Sequence, residues 1–124
     1  MTSFVWGVAS DVGRVRSINQ DSVVARLGLF AVADGMGGHT GGEIAAEIAI
    51  DVLDDELVIV STQDLIEAVH AMNAAILNRA EAEPSLTGMG TTLCALALVV
   101  ADDTERLALV NVGDSRIYVY AGDE

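Results

Sequence analysis

Basic residues are scarce: six Lys and Arg stand against nineteen Asp and Glu, a formal net charge of −13. So acidic a surface argues against nucleic acid or anionic membrane as a main partner and suits cations. Cysteine is nearly absent. Cys94 is alone, so no intrachain disulfide can form and secretion gains no support. It lies in an apolar run and reads as a buried thiol. Long hydrophobic stretches are missing as well. The longest uninterrupted one, residues 93–101, falls far short of a membrane span. The N-terminus has no basic segment leading into an apolar core, so no signal peptide is evident and a cytoplasmic protein is expected. Familiar ligand loops are absent too. No Lys follows the glycines of residues 35–42, which excludes the phosphate loop. After Gly35 and Gly37 the third glycine position is Thr40, which breaks the dinucleotide pattern. No D-x-[DN]-x-[DN]-G loop supports a calcium-binding domain. Ser22 and Ser115 have no His and Asp in a triad-like arrangement, so no protein nucleophile is evident.

What is present is enough for one domain. The chain has 124 residues, and 52% of them are hydrophobic, which supports a real core and argues against disorder. No repeat, linker or low-complexity segment divides it, so residues 1–124 read as one unit. Alternation marks strands at 4–10, 22–26 and 29–33. A helix is expected over 43–57, with Ile44, Ile48 and Val52 on one face flanked by Ala45, Ala49 and Leu53. Ser61 and Asp64 have the spacing of a capping box opening a second helix. Its apolar face is Leu65, Val69, Met72 and Ile76, its His70 is a surface residue, and Pro84 marks its end. Three more strands follow at 91–100, 106–112 and 117–120. The first is apolar on both faces, so cover on both sides is expected. Strands, then helices, then strands define an α+β layout with helices on an antiparallel sheet. The acids at 51, 54, 55 and 56 read as a solvated helix end.

The chemistry concentrates around Asp34. An apolar strand leads into this carboxylate, and five glycines follow within residues 35–42. Such a backbone lets carbonyls and amides approach a ligand without a Cβ between, and the helix start beyond adds free N–H groups. A carboxylate beside exposed carbonyls suits magnesium or manganese. Taken alone, the stretch reads equally well as a glycine turn capped by an Asp. Asp21 alters that balance. It precedes the first arm of a hairpin whose second arm ends at Asp34, so the two carboxylates can come together. They then repel unless one is protonated or a divalent ion bridges them, and at neutral pH metal is the better reading. Arg14 and Arg16 offer planar forks suited to phosphate, although either could serve in a surface ion pair.

Four ordered motifs sharpen this: Arg16-Ser17-Ile18-Asn19-Gln20-Asp21, Asp34-Gly35-Met36-Gly37-Gly38-His39, Gly88-Met89-Gly90-Thr91-Thr92 and Gly113-Asp114-Ser115-Arg116. Together they resemble the bacterial metal-dependent type 2C serine/threonine protein phosphatases, across residues 7–120. The resemblance implies a four-layer α-β-β-α domain, an antiparallel β-sandwich flanked by helices, of which this chain carries the N-terminal half. It implies Asp21 and Asp34 as metal ligands, Gly35 as a ligand through its backbone carbonyl, Asp114 as an acid near a further ion, and Arg16 as the phosphate-binding residue. Two or more Mn2+ or Mg2+ ions would serve the complete domain. A two-metal site activates water and screens a phosphate monoester, so a protein nucleophile is not required. The implied substrates are phosphoserine and phosphothreonine proteins, with a cognate serine/threonine kinase as a natural counterpart.

Two departures stand out. Met36 occupies the place where animal members carry a His directly after Asp-Gly, as in bacterial members. His39, further on, is either the proton donor for the leaving alkoxide or a loop residue shaping the glycine turn. The family also draws further aspartates from a C-terminal half, which this sequence does not contain. The chain is therefore expected to be part of a longer phosphatase domain and inactive by itself. The competing reading is a non-catalytic metal- or phosphopeptide-binding regulatory module.

Overall fold

The computed structural model describes residues 3–14, 19–37, 41–55 and 59–122. Its centre is one antiparallel sheet of five strands in the order β1-β2-β4-β5, with the short β3 also paired to β2. β1 (Asp21–Arg26) and β2 (Leu29–Met36) form the expected hairpin through Leu27 and Gly28. Gly28 turns it with φ of 90°, a conformation that glycine adopts without steric cost. β3 (Gly90–Thr91) and β4 (Leu93–Ala101) lie along β2, and β5 (Thr104–Val112) follows β4. The β4–β5 turn places both Asp102 and Asp103 at positive φ, 51° and 60°. Two successive positive values are the sign pattern of a type I′ hairpin, whose twist matches that of the flanking strands.

Two helices cover one face of the sheet. α1 (Gly41–Asp55) packs on β2 and α2 (Thr62–Ala82) packs on α1. The capping box is formed: Asp64 N–H donates to Ser61 Oγ at 3.1 Å, and Ser61 N–H donates to Asp64 Oδ2 at 3.1 Å. α2 buries Leu65, Ala68, Met72 and Ile76 while His70 stays exposed, close to the expected stripe, although Val69 is only half-buried. α1 differs more. Its buried face is Ala45, Ala46, Ala49, Ile50 and Leu53, while Ile44, Ile48 and Val52 are half-buried at its margin. Small alanines at the contact let the helix axis lie close to a sheet that is itself alanine-rich there, at Ala31, Ala33, Ala95 and Ala97. Larger side chains then fill the flanks.

Other expectations need correction. Residues 4–10 form no strand. Among the described residues they have no strand to pair with; the rings of Phe4 and Trp6 lie 5.4 Å and 5.2 Å from that of Phe30, and Asn19 Nδ2 donates to Ser10 Oγ at 2.8 Å. Residues 117–120 form no strand either, and Tyr118, Val119 and Tyr120 are exposed. β4 is fully covered only on its helix side, through Leu93, Ala95, Ala97 and Val99; Cys94, Leu96 and Leu98 on the other face are half-buried. That outer face also leaves Val32, Leu107 and Leu109 exposed. The described residues therefore make one helical layer and one sheet, two of the four layers of the implied sandwich. Of the acidic helix end, Asp51, Asp54 and Asp55 are exposed, with Asp54 in a 2.9 Å ion pair to Arg26, as a solvated surface requires. Among the described residues, no helix is long and apolar enough to cross a membrane.

Candidate metal centre

β2 does not stop at Ala33. It runs through Asp34 and Gly35 to Met36, because β3 pairs with its end, Gly35 opposite Thr91 and Met36 opposite Gly90. Asp34 is therefore held within a strand, more rigidly than a turn residue would be. Across the hairpin its register partner is Asp21, the first residue of β1. Directly opposed residues of an antiparallel pair project to the same face, with Cβ atoms about 5 Å apart. Two carboxylates so placed repel each other, and a cation between them offsets that repulsion. Both are half-buried.

The surrounding backbone is tied down. Asp21 N–H donates to Asn19 Oδ1 at 2.9 Å, a local turn that sets where β1 begins. Gly35 N–H donates to the Gln20 carbonyl at 3.1 Å, and Gln20 Nε2 donates to the Gly37 carbonyl at 3.3 Å. Gly35 is packed so closely that a Cβ there would run into the Gly42 carbonyl and lie 2.9 Å from the Gln20 carbonyl oxygen. A Cβ on Gly42 would in turn lie 2.8 Å from the Met36 nitrogen and 2.9 Å from the Gln20 carboxamide. The glycines thus serve a close approach of β2, the start of α1 and the Gln20 side chain. The donor set of two carboxylates on one face of the hairpin suits a hard divalent ion.

The other candidates fare unequally. Arg16 and His39 lie outside the described residues. Asp114 is exposed in the turn after β5, beyond Gly113 at φ of 101°. Among the described residues, no three His, Cys, Asp or Glu side chains gather as a metal-binding group, so Asp114 does not complete the Asp21–Asp34 pair. Residues that lie within the quoted motifs but were given no role by the sequence also shape the centre. Besides Gln20, Thr92 is buried at 4% exposure and bonds Asp34 and Ser115. Its signal was a hydroxyl residue at the head of an otherwise apolar strand.

The α+β fold agrees with the comparisons. The sequence matches the Protein phosphatase 2C family over residues 14–124, and the chain belongs to that family. Among its relatives is the serine/threonine protein phosphatase PstP of Mycobacterium tuberculosis H37Rv, 45% identical over 123 residues that make up 96% of this chain and 23% of the relative. The serine/threonine phosphatase stp of Listeria monocytogenes EGD-e is 37% identical over 123 residues, 89% of this chain and 47% of the relative. Among solved structures, the catalytic domain of PstP in complex with two manganese ions matches with a TM-score of 0.76 and 47% identity, covering 87% of this chain and 47% of that one. The phosphatase MsPP of Mycobacterium smegmatis in complex with cacodylate matches with a TM-score of 0.73 and 36% identity, over 86% of this chain and 44% of that one. The chain thus spans half or less of the length of these relatives.

Proposed function

We propose that this chain forms the N-terminal part of a cytoplasmic phosphatase domain that hydrolyses phosphoserine and phosphothreonine in proteins. The observation that carries the reading is the direct opposition of Asp21 and Asp34 across the β1–β2 pair, in a chain of the protein phosphatase 2C family. Asp21 and Asp34, with the Gly35 carbonyl, would hold Mn2+ or Mg2+, and Asp114 would stand near a further ion. Such a metal, when bound, lowers the pKa of water and screens phosphate charge. The rest falls to the chain. Arg16 would grip the phosphate oxygens through its planar fork and orient them. The leaving serine or threonine oxygen needs a proton, and His39 is the histidine nearest in sequence to the pair. The phosphoproteins would be products of a serine/threonine kinase, and the setting is signalling in a bacterial cell. The PstP structure with two manganese ions supports manganese as the first metal to try.

The test has two arms. Manganese titration of the chain should show binding that is lost in Asp34→Asn. Phosphate release from a phosphothreonine peptide should appear when the chain is extended to the length of its relatives' catalytic domain, and should be abolished by chelator. Metal binding without any hydrolysis in the extended protein would favour the non-catalytic regulatory module instead.

A further inference from the structure

We infer that Thr92 is a positioning residue: its hydroxyl ties the backbone of Asp34 to the turn of residues 113–115, so that the strand carrying Asp34 and the turn carrying Asp114 share one frame. The inference rests on the reading of Asp34 as a metal ligand.

Thr92 sits between β3 and β4, opposite Asp34 in the continuous register of β2 with these two strands. The bonding between the two residues is unusual for a ladder. Thr92 N–H donates to the Asp34 carbonyl at 2.9 Å, but Asp34 N–H is accepted by the Thr92 hydroxyl at 3.3 Å. The Thr92 carbonyl accepts instead from the Thr91 hydroxyl at 2.8 Å. A side chain has thus replaced a backbone acceptor at the residue that bears the carboxylate. The same Thr92 oxygen lies 2.7 Å from Ser115 Oγ, shorter than its 3.4 Å approach to the Asp34 carbonyl. A hydroxyl has one proton and two acceptor sites, so one oxygen can serve Asp34 N–H and Ser115 together.

The turn is shaped to meet it. Gly113 adopts φ of 101°, and a Cβ there would lie 2.7 Å from the Thr92 methyl carbon. Asn111 Nδ2 donates to the Ser115 carbonyl at 2.9 Å and secures the far side. Asp114 is thereby bracketed by two residues that both touch Thr92. At 4% exposure water cannot readily replace the hydroxyl, so its removal would leave buried polar groups without a partner.

The two halves of the side chain separate cleanly. Thr92→Val keeps the methyl group and puts a second methyl in place of the hydroxyl; Thr92→Ser keeps the hydroxyl and loses the methyl. Amide hydrogen exchange followed by NMR and manganese titration are read on the same samples of the full chain. Thr92→Val should speed exchange at Asp34 and Ser115 by about tenfold or more, leave α2 amides unchanged, and weaken manganese binding by about tenfold, as removal of groups that orient metal ligands typically does. Thr92→Ser should stay within about twofold of the unaltered chain in both readouts, and Ser115→Ala should loosen the Asp34 amide. Unchanged exchange at Asp34 in Thr92→Val would overturn the inference, and so would equal losses in Thr92→Ser and Thr92→Val. If Thr92→Val does not fold, Ser115→Ala decides: faster exchange at the Asp34 amide supports the tie, and unchanged exchange there overturns it. Should the unaltered chain bind no manganese, the metal reading of Asp34 fails, and the exchange data still accept or reject the tie.

Discussion

Asp21 faces Asp34 across the first hairpin with no offset in register. A shift of one residue would send one carboxylate to the helix-covered face, among Ala31, Ala33 and Leu29. The hydrophobic pattern that selects the register therefore also brings the two charges to the same side.

If this pair holds a divalent ion, manganese should raise the melting temperature of the chain through mass action. At about one hundred times its dissociation constant the stabilisation is about 2.7 kcal/mol. In Asp34→Asn the manganese-dependent shift should vanish while the metal-free protein still melts cooperatively. Equal shifts in both proteins would remove Asp34 from the site.

Residues 1–124 by themselves should release phosphate from a phosphothreonine peptide poorly, because no third acidic or histidine ligand joins the pair among the described residues. A metal held mainly by water activates and aligns the attacking group less well. Supplying the remainder of the domain, in one chain or as a second polypeptide, should raise manganese-dependent turnover. Robust chelator-sensitive activity in the intact 124-residue chain would contradict this.

In that extended protein, Arg16→Ala should lower kcat/KM by about 10- to 100-fold, the loss expected when one charge-assisted contact of about 1.5–3 kcal/mol is removed. Unchanged efficiency would make Arg16 an ordinary surface residue.

Gly35→Ala should cost about 1–3 kcal/mol, since its Cβ would meet two backbone carbonyl oxygens that cannot move without displacing α1 or β1. Gly7→Ala is the control: nothing lies within 4 Å of a Cβ there, and its effect should stay within about 0.5 kcal/mol. Urea titrations of the two variants separate close packing from generic loss of glycine.

The capping box predicts a pH dependence. The Val60 N–H bond, more than any other cause, holds the Asp64 carboxyl below its ordinary value of 3.8; the Ser61 bonds act the same way, and partial desolvation opposes them. A carboxyl lowered on folding stabilises fully above its unfolded value and loses that contribution as pH falls through the lower, folded one. Asp64→Asn should therefore flatten the stability profile below pH 3.8. Ser61→Ala should cost about 1 kcal/mol at neutral pH. Thermal melts of both variants across that range provide the check.

Much of the fold was legible in the residues. The hairpin arms, the two helices and the Ser61–Asp64 cap are local features, governed by side-chain period and by hydrogen bonds over three residues. The strands expected at 4–10 and 117–120 show where local pattern fails. Alternation marks a segment that could pair, but pairing needs a partner strand, and there the described residues provide none. For α1 the periodicity indicated a helix, while the buried stripe shifted toward Ala45, Ala46 and Ala49. Close approach to an alanine-rich sheet favours small residues that a hydrophobicity count ranks low.

The site divides along the same line. By itself the sequence determined which groups were available: Asp21, Asp34, the glycines between 35 and 42, and the motif order that marks the protein phosphatase 2C family. Chemical identity and short spacing are written in the chain. The tertiary structure alone decided that Asp34 lies inside a strand extended by β3, that Gln20 is wedged against Gly42, and that Thr92 joins Asp34 to Ser115. These contacts link residues 22, 58 and 23 positions apart. They exist because the sheet register and the packing of α1 bring distant backbones within a hydrogen bond's length, a consequence no local pattern carries.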